Sequence, residues 1–420
     1  MAFLSSFKST VFLWVLIGAS CGNPTKGQKT NEEPTSSAQK AAPQAPIIVA
    51  ANNTAAYLPL LEGKKIGIVA NQTSVIFKYP KDVEESIKPY THLVDSLLLH
   101  HITIKKVFAP EHGFRGRADA GEKVKDEVDA KTGLPLLSLH GKNRKPTAEQ
   151  LQGLDLILFD IQDVGVRFYT YIATLQLVME ACAENNIPMI VLDRPNPNGH
   201  YIDGPTMEEA HTNFLGMTPI PLVYGMTIGE YAKMLNGEGW LANAKTVDLT
   251  VIPLKNYSHT RSYHLPIRPS PNLPNDIAIN LYPSLGLFEG TTVNAGRGTE
   301  QQFQRYGASF LDSLKYDFTY TPKPNFGSKY PKEEGKRAYG KDLSQTPKMN
   351  EISLAWIQDA YENSTKRDAF FKTAGFTRHA GTTKLQQQLE EGLSEAAIKA
   401  SWQEDINAFK VIRAKYLLYD

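Results

Sequence analysis

The segment LDLILFDIQDVGVRFYTYIATLQLVMEACAENNIPMIVLDRPNPNG, residues 154–199, decides the fold. It contains two short apolar runs that end in acidic residues, and between them lies a longer stretch with apolar residues at helical spacing. Such runs are typical of strands buried in a parallel sheet, and the stretch between them is typical of a crossover helix. The segment therefore predicts a β-α-β unit.

The same alternation begins further upstream, with apolar runs at residues 64–71 and 102–113. Four strands in this rhythm predict an α/β fold with a mostly parallel sheet and helices on both faces. The pattern changes near residues 236–245, where we predict a domain boundary.

Polar and ionisable side chains follow all four predicted strands. Ligands bind outside the carboxyl ends of the strands in open α/β sheets, so these side chains predict a functional rim. Helix caps and structural ion pairs are the alternative at any single strand, but they explain all four less easily. The residues at the four exits are, in order, Asn71, then Glu111 and His112, then Asp160 and Asp163, then Asp193 and Arg194.

The first 46 residues have the composition of an export signal and a tether. Residues 1–20 carry Lys8, an apolar stretch and small residues directly before Cys21, which is the layout of a secretory signal peptide. This layout predicts lipidation of Cys21; an ordinary secretory signal with an incidental cysteine is the alternative. Residues 21–46 are rich in Pro, Ser, Thr, Lys, Gln and Ala and predict a disordered tether. We therefore expect an exported protein, lipid-anchored in the cell envelope and facing the periplasm or the exterior of the outer membrane.

Composition and motifs exclude several classes of function. The net charge is +1, from 45 basic and 44 acidic residues, which gives no reason to expect a nucleic-acid partner. The sequence has no GxGxxG after the first strand and no P-loop, HExxH or GxSxG motif. The ten histidines do not fall at zinc-ligand spacing, and Cys182 lies in a helical pattern typical of a buried apolar residue.

Glu111 is the strongest candidate for chemistry. It leaves a predicted strand beside His112, with Arg115 nearby, which is how a catalytic acid is held; a salt-bridged surface turn is the alternative. Glycoside hydrolysis ordinarily needs two carboxylates that face each other across a cleft. The carbonyl of a 2-acetamido sugar can replace the second carboxylate as the nucleophile. Candidates for the second carboxylate are Asp160, Asp163 and Glu289.

Six motifs resemble, in matching order from about residue 47 to the C-terminus, those of the exo-β-N-acetylmuramidases of the NamZ type. The resemblance implies a Rossmann-like domain at residues 47–240, a smaller α/β domain at 241–420 and an active-site cleft between them. It implies release of terminal N-acetylmuramic acid (MurNAc) from the non-reducing end of peptidoglycan fragments in cell-wall turnover and salvage, without metal or organic cofactor. The sequence departs from the family pattern at Met226 and at the acidic pair Glu333 and Glu334. The motifs are FAPEHGFRG (108–116), FDIQDVGVRFYTYI (159–172), VLDRPNPNG (191–199), IPLVYGMTIGEYA (220–232), SPNLP (270–274) and FEGTTVNAGRGTEQQF (288–303).

The resemblance makes Glu111, in the PEHGFRG motif, the leading catalytic residue. MurNAc carries a lactyl carboxylate, which needs a positive partner because a buried unpaired carboxylate is costly. We expect Arg194→Ala or Arg297→Ala to weaken MurNAc binding far more than folding. The predicted catalytic residues are Glu111, His112, Asp160 and Asp163. The predicted substrate-binding residues are Asn71, Arg115, Arg167, Tyr169, Arg194, Asn196, Glu289, Asn294 and Arg297.

Two other functions are open on the sequence alone. One is another cell-wall hydrolase, an esterase or amidase that acts on muropeptides, although no serine or metal constellation is visible. The other is a non-catalytic sugar-binding lipoprotein that feeds a transporter, for which a tether, two domains and a cleft are equally suited. The Glu111→Gln substitution separates them, because a binding protein tolerates it whereas a glycosidase loses general acid catalysis.

Overall fold

A computed structural model describes residues 45–78, 90–116 and 126–420. The predicted signal peptide, Cys21 and nearly all of the predicted tether lie outside these ranges. Residues Ala45–Asp420 form one compact unit. None of the helices described in it is both long enough and apolar enough to cross a lipid bilayer.

Helices and strands alternate through the first half of the chain, and helices dominate the second half. The strands are β1 (Lys65–Ala70), β2 (Val75–Phe77), β3 (Tyr90–His92), β4 (Thr103–Ala109), β5 (Glu127–Val128), β6 (Pro135–Ser138), β7 (Leu156–Asp160), β8 (Met189–Leu192), β9 (Leu249–Ile252), β10 (Arg305–Ala308), β11 (Phe318–Tyr320) and β12 (Ala338–Asp342). The helices are α1 (Thr54–Leu61), α2 (Leu93–Leu99), α3 (Ala148–Leu151), α4 (Tyr171–Asn185), α5 (Ile228–Gly237), α6 (Asp276–Leu285), α7 (Ala355–Glu362), α8 (Thr373–Ala380), α9 (Lys384–Glu390), α10 (Glu395–Ala400) and α11 (Gln403–Ala414).

The central sheet confirms the predicted fold class. Its seven strands lie in the order β5-β6-β4-β1-β7-β8-β9, and all neighbours are parallel except β5 and β6. The chain moves outward from β1 to one side and then returns to build the other side from β7. This reversal opens a crevice at the carboxyl ends of β1 and β7, which is where such sheets bind ligands.

Two apolar cores cover the two faces of the sheet, because successive side chains of a strand point in opposite directions. Leu156 and Leu158 of β7 belong to one core, and Ile157 and Phe159 belong to the other. Helix α4 packs on the Ile157 face, and α1 and α2 pack on the opposite face. Cys182 of α4 is fully buried in the core on the Ile157 face, as its helical pattern predicts.

The C-terminal half adds a second, smaller sheet. Strands β10, β12 and β11 form an antiparallel sheet in that order, and it is followed along the chain by helices α7 to α11. Strand β9 comes after the predicted boundary at residue 240 but pairs with β8, so the large sheet extends to Ile252. The apolar core on the Ile157 face continues without interruption into the C-terminal half, where it includes Phe288 and Phe376.

Candidate active site

A cavity of about 150 Å³ lies beyond the carboxyl end of the central sheet. One wall comes from the loops that follow β4 and β7, and the other comes from the C-terminal half of the chain. The lining residues are Glu111, His112, Phe168, Tyr169, Thr170, Tyr171, Leu215, Ser270, Asn272, Leu273, Tyr282, Glu289, Arg297, Phe303 and His379.

A larger cavity, of about 650 Å³, lies between the loop after β8 and the C-terminal residues. Two of its ionisable groups are already bonded within the protein. His259 Nε2 lies 2.8 Å from a carboxylate oxygen of Glu230, and Arg413 Nε donates to the carbonyl oxygen of Gly225 at 2.9 Å. The smaller cavity lies at the carboxyl end of the sheet and is lined by two glutamates, Glu111 and Glu289, together with Arg297, so we assign the candidate site there.

A sharp turn places Glu111 at the end of β4. His112 and Gly113 both have left-handed backbone conformations, with φ of 68° and 73°, and the Gly113 N–H donates to the carbonyl oxygen of Pro110 at 3.0 Å. A positive φ is uncommon for histidine and marks a constrained turn. Thr170 Oγ1 donates to Glu111 Oε2 at 3.3 Å, across from the loop after β7. The loop after a second strand therefore helps to orient the Glu111 carboxylate.

Glu289 and Arg297 form the charged part of the opposite wall. Glu289 lies in the 3-10 helix Gly286–Gly290, and its Oε1 is 3.2 Å from Arg297 Nε. The buried ammonium of Lys332 donates to the carbonyl oxygens of Phe288 at 2.7 Å and Glu289 at 3.1 Å. Burial alone raises the pKa of Glu289, but the charges of Arg297 and Lys332 outweigh it and lower that pKa to about 2. Glu289 is therefore ionised at neutral pH.

His379 of α8 adds a neutral polar group to this wall. Its Nδ1 lies 2.8 Å from the carbonyl oxygen of Gly375, so Nδ1 carries the proton because a carbonyl can only accept. Burial lowers the pKa of His379. In the resulting neutral ring, Nε2 is a hydrogen-bond acceptor.

Aromatic rings form the rest of the cavity surface. Tyr282 packs edge-on against Phe168 and Phe303, with ring centroids 5.1 and 4.7 Å apart. The Arg297 guanidinium lies 5.0 Å from the centre of the Phe303 ring. Aromatic walls with a few fixed polar groups are typical of sites for small organic ligands. A sugar, with one apolar face and polar edges, fits this combination.

Asp160 and Arg194 do not line the cavity. They are almost completely buried and form a bidentate pair, with Arg194 Nε 2.5 Å from Asp160 Oδ1 and Nη2 2.7 Å from Oδ2. Arg194 Nη2 also donates to the carbonyl oxygen of Val75 at 3.1 Å. The prediction that Arg194 binds a substrate carboxylate is thus not supported, because Asp160 neutralises its charge inside the protein. The pair has a structural role.

Asp163 and Arg167 are also buried away from the cavity surface. Asp163 Oδ2 accepts from the Tyr224 hydroxyl at 2.5 Å and from the Gly165 N–H at 2.6 Å, and burial raises the pKa of Asp163 to about 7. The Arg167 guanidinium donates to backbone carbonyl oxygens from three other parts of the chain. The acceptors are Pro205 (2.7 Å), Ile220 (2.8 Å), His379 (3.1 Å) and Ala380 (2.7 Å).

The remaining predicted residues fall into two groups. Glu111, His112, Tyr169, Glu289 and Arg297 line the cavity together. The others hold loops around it: Asn71 accepts from Thr73 N–H (2.9 Å), Arg115 pairs with Asp129 (2.8 Å), Asn196 donates to the Met226 carbonyl oxygen (2.8 Å), and Asn294 donates to the Arg297 carbonyl oxygen (3.0 Å).

Several residues that line the cavity are not among the predicted site residues. Ser270, Asn272 and Leu273 belong to the SPNLP motif, which was the available signal for them. Thr170 and Tyr171 follow the predicted Tyr169 directly. Tyr282 and His379 lie in helices far along the chain, and their sequence surroundings give no signal.

Comparison with known proteins places this chain among cell-wall glycosidases. The family model described as exo-beta-N-acetylmuramidase NamZ, N-terminal, matches residues 66–277, and the corresponding C-terminal model matches residues 280–419. The peptidoglycan beta-N-acetylmuramidase NamZ of Bacillus subtilis (strain 168) is 37% identical over 382 residues, which cover 86% of this chain and 89% of that protein.

Two solved structures of DUF1343 family proteins from Bacteroides fragilis NCTC 9343 share the fold. One is 42% identical with a TM-score of 0.79, and the match covers 90% of this chain and 99% of that one. The other is 28% identical with a TM-score of 0.72, and the match covers 89% of this chain and 99% of that one.

Arg194→Ala is expected to lower the free energy of unfolding by about 3–5 kcal/mol, because it leaves the Asp160 carboxylate buried without its partner. Urea unfolding measures the change. The double variant Asp160→Leu with Arg194→Met is the control and should recover much of the loss, since an apolar pair needs no counter-charge. An Arg194→Ala protein with wild-type stability and weakened substrate binding would contradict the structural role of the Asp160–Arg194 pair.

Proposed function

The chain belongs to the exo-beta-N-acetylmuramidase NamZ family, and on this premise we propose how it acts as an exo-glycosidase that releases terminal MurNAc from the non-reducing end of peptidoglycan fragments. The observation that carries the proposal is the cavity in which Glu111 faces a wall bearing the ionised Glu289 and Arg297. Family membership favours this glycoside hydrolase over the sugar-binding lipoprotein and the muropeptide esterase or amidase.

Glu111 acts as the general acid. Cleavage of a glycosidic bond requires a proton on the leaving-group oxygen, here the oxygen of the sugar that follows MurNAc. Glu111 lines the cavity at a strand end, and Thr170 orients one of its carboxylate oxygens. The proton passes from Glu111 to that oxygen as the bond to the MurNAc anomeric carbon breaks. A water molecule bonds to that carbon in place of the leaving sugar and gives up a proton, which restores the protonated Glu111.

Glu289 acts as the permanent anion of the site. With a pKa of about 2 it carries no proton to donate near neutral pH, so it is unsuited to the role of acid. Positive charge develops on the sugar ring in an oxocarbenium-like transition state, and a fixed carboxylate stabilises it. In the substrate-assisted alternative, the acetamido carbonyl oxygen of MurNAc bonds to the anomeric carbon as the leaving sugar departs, with Glu289 holding the acetamido group. Water then attacks the anomeric carbon and breaks that new bond, which gives free MurNAc.

Arg297 binds the lactyl carboxylate of MurNAc. A guanidinium has five N–H donors in a planar fork, and the bond to Glu289 uses Nε. The side chain of Arg297 is 20% exposed and lines the cavity, whereas Arg115 and Arg194 are paired with aspartates and Arg167 with carbonyl groups. Arg297 is therefore the arginine best placed for this contact.

The Glu111→Gln variant should lose about 10²–10⁴-fold in kcat/KM on the disaccharide MurNAc–GlcNAc, because glutamine cannot donate the proton. Release of MurNAc, followed by mass spectrometry, measures the loss. MurNAc β-fluoride is the matched control: fluoride leaves without protonation, so the first turnover should be far less affected. Undiminished cleavage of the disaccharide by Glu111→Gln would remove Glu111 from the chemistry.

Arg297→Ala should abolish the preference of the enzyme for a substrate with a free lactyl carboxylate over the same substrate with a lactyl carboxamide. A hydrogen bond to a charged group contributes about 1.5–3 kcal/mol, so the wild type should prefer the carboxylate by roughly 10–150-fold in kcat/KM. Comparing the ratio in both proteins cancels effects of the substitution on Glu289. An unchanged ratio in Arg297→Ala would assign the lactyl group to another residue.

We also propose that lipidation of Cys21 anchors the enzyme in the cell envelope, with residues 21–46 as the tether. The support is the sequence of residues 1–46 alone. Cys21→Ser should move the protein from the membrane fraction to the soluble exported fraction, since a covalently bound lipid is required for stable anchoring. Membrane sedimentation of Cys21→Ser at the wild-type level would argue for the ordinary secretory signal.

A further inference from the structure

Phe326 is an exposed aromatic residue at the tip of a tight turn. Its side chain is 56% exposed, although the aromatic side chains around the cavity are largely buried. Asn325 and Ser328 exchange two backbone hydrogen bonds, of 3.0 and 3.1 Å, and Gly327 between them has a φ of +95°. The position of Phe326 is thus fixed by the turn rather than by packing of its ring.

The turn at residues 325–328 is fastened to the cavity wall on two sides. Asn272, which lines the cavity, donates from Nδ2 to the carbonyl oxygen of Gly327 at 2.7 Å. Asn325 Nδ2 donates to the carbonyl oxygen of Thr299 at 3.0 Å, two residues after Arg297. A side chain at Gly327 would lie 2.7 Å from the Pro271 Cβ, so glycine permits this close approach. The turn that carries Phe326 is therefore bonded to Asn272 in the cavity lining, and we call this turn the rim of the active-site cavity.

Asn272 offers a hydrogen-bond acceptor next to this rim. Its side chain is only 2% exposed, and its Nδ2 is committed to Gly327, which fixes the orientation of the amide. Its Oδ1 has no hydrogen-bond partner within the part of the chain that the structure describes. Buried polar atoms are nearly always paired, so an exception beside a cavity points to a donor supplied by a ligand.

We propose that Phe326 and Asn272 form a saccharide subsite on the leaving-group side, which binds the sugar that follows the terminal MurNAc. The inference rests on the proposed function and extends it to the second sugar. An exo-acting enzyme holds the terminal sugar in its enclosed cavity, so the rest of the glycan leaves over the rim. Phe326 stacks against the C–H face of that sugar, and Asn272 Oδ1 accepts from one of its N–H or O–H groups.

Charge selects which sugar binds there. Phe326, Asn272 and Asn325 are all uncharged, whereas Arg297 and Glu289, which line the cavity, are charged. A carboxylate is favoured beside Arg297 and gains nothing from the Phe326 ring or from the acceptor oxygen of Asn272. The subsite therefore fits a neutral 2-acetamido sugar such as GlcNAc, which places MurNAc inside and GlcNAc at the rim.

The test compares one substrate that has a second sugar with one that lacks it. Phe326→Ala should raise KM for MurNAc–GlcNAc roughly five-fold or more, with kcat within about two-fold, because a stacking contact made in the ground state is lost. Hydrolysis of MurNAc β-fluoride and the melting temperature should stay at wild-type values. Phe326→Tyr, which keeps the ring, should restore KM. Leu314→Ala is the matched control, since Leu314 is 90% exposed and lies outside both the turn and the cavity lining.

Two results would overturn the subsite. One is a wild-type KM for the disaccharide in Phe326→Ala; the other is an equal loss on the fluoride, which would place the turn against MurNAc itself. If the wild type cleaves neither substrate, the proposed function fails. Calorimetry then measures the affinity for intact MurNAc–GlcNAc and tests the subsite separately from catalysis. Binding that weakens in Phe326→Ala and not in Leu314→Ala supports the subsite, whereas equal affinities or no binding refute it.

Discussion

The cavity depends on the buried guanidinium of Arg167, which joins its two walls. Arg167 lies in the loop after β7, three residues before Thr170, which contacts Glu111. It donates to the carbonyl oxygens of His379 and Ala380 at the end of α8. Helix α8 in turn packs directly on Gly290, where the Phe376 backbone leaves no room for a side chain, and so fixes the segment that carries Glu289. Arg167 thus fixes the position of Glu111, at the end of the sheet, relative to Glu289 in the C-terminal half. Backbone carbonyl oxygens bind its Nη1 and Nη2 without a carboxylate, and burial lowers its pKa to about 9.

The charges of the site follow from this arrangement. The charges of Arg297 and Lys332 keep Glu289 ionised. Glu111 accepts a hydrogen bond from the hydroxyl of Thr170. In the proposed mechanism the two carboxylates have different tasks, Glu111 as proton donor and Glu289 as fixed anion. Arg297 serves both Glu289 and, in our proposal, the lactyl carboxylate, so recognition of MurNAc and stabilisation of the transition state share one group. Neutral residues at the rim then suit the neutral sugar.

The fold was predictable because the β-α-β pattern at residues 154–199 is local, and the same rhythm recurs upstream. The polar residues that follow the strands were predictable as a group at one edge of the sheet. Which of their side chains face the cavity, and which pair with each other inside the protein, could not be predicted from the sequence. Asp160 ends β7 and Arg194 follows the adjacent β8, so the order of strands in the sheet, and not the sequence of either, pairs them. Tyr282 and His379 reach the site only through the packing of α6 and α8 against the 3-10 helix Gly286–Gly290. Such contacts between distant segments leave no pattern in the sequence.

The most direct measurement is a crystal structure of the Glu111→Gln variant with MurNAc–GlcNAc bound. The account predicts the MurNAc ring in the cavity, its lactyl carboxylate on Arg297, the side chain of residue 111 within hydrogen-bond distance of the glycosidic oxygen, and the GlcNAc ring over Phe326. A disaccharide bound in the reverse direction, or in the larger cavity beside His259, would contradict it.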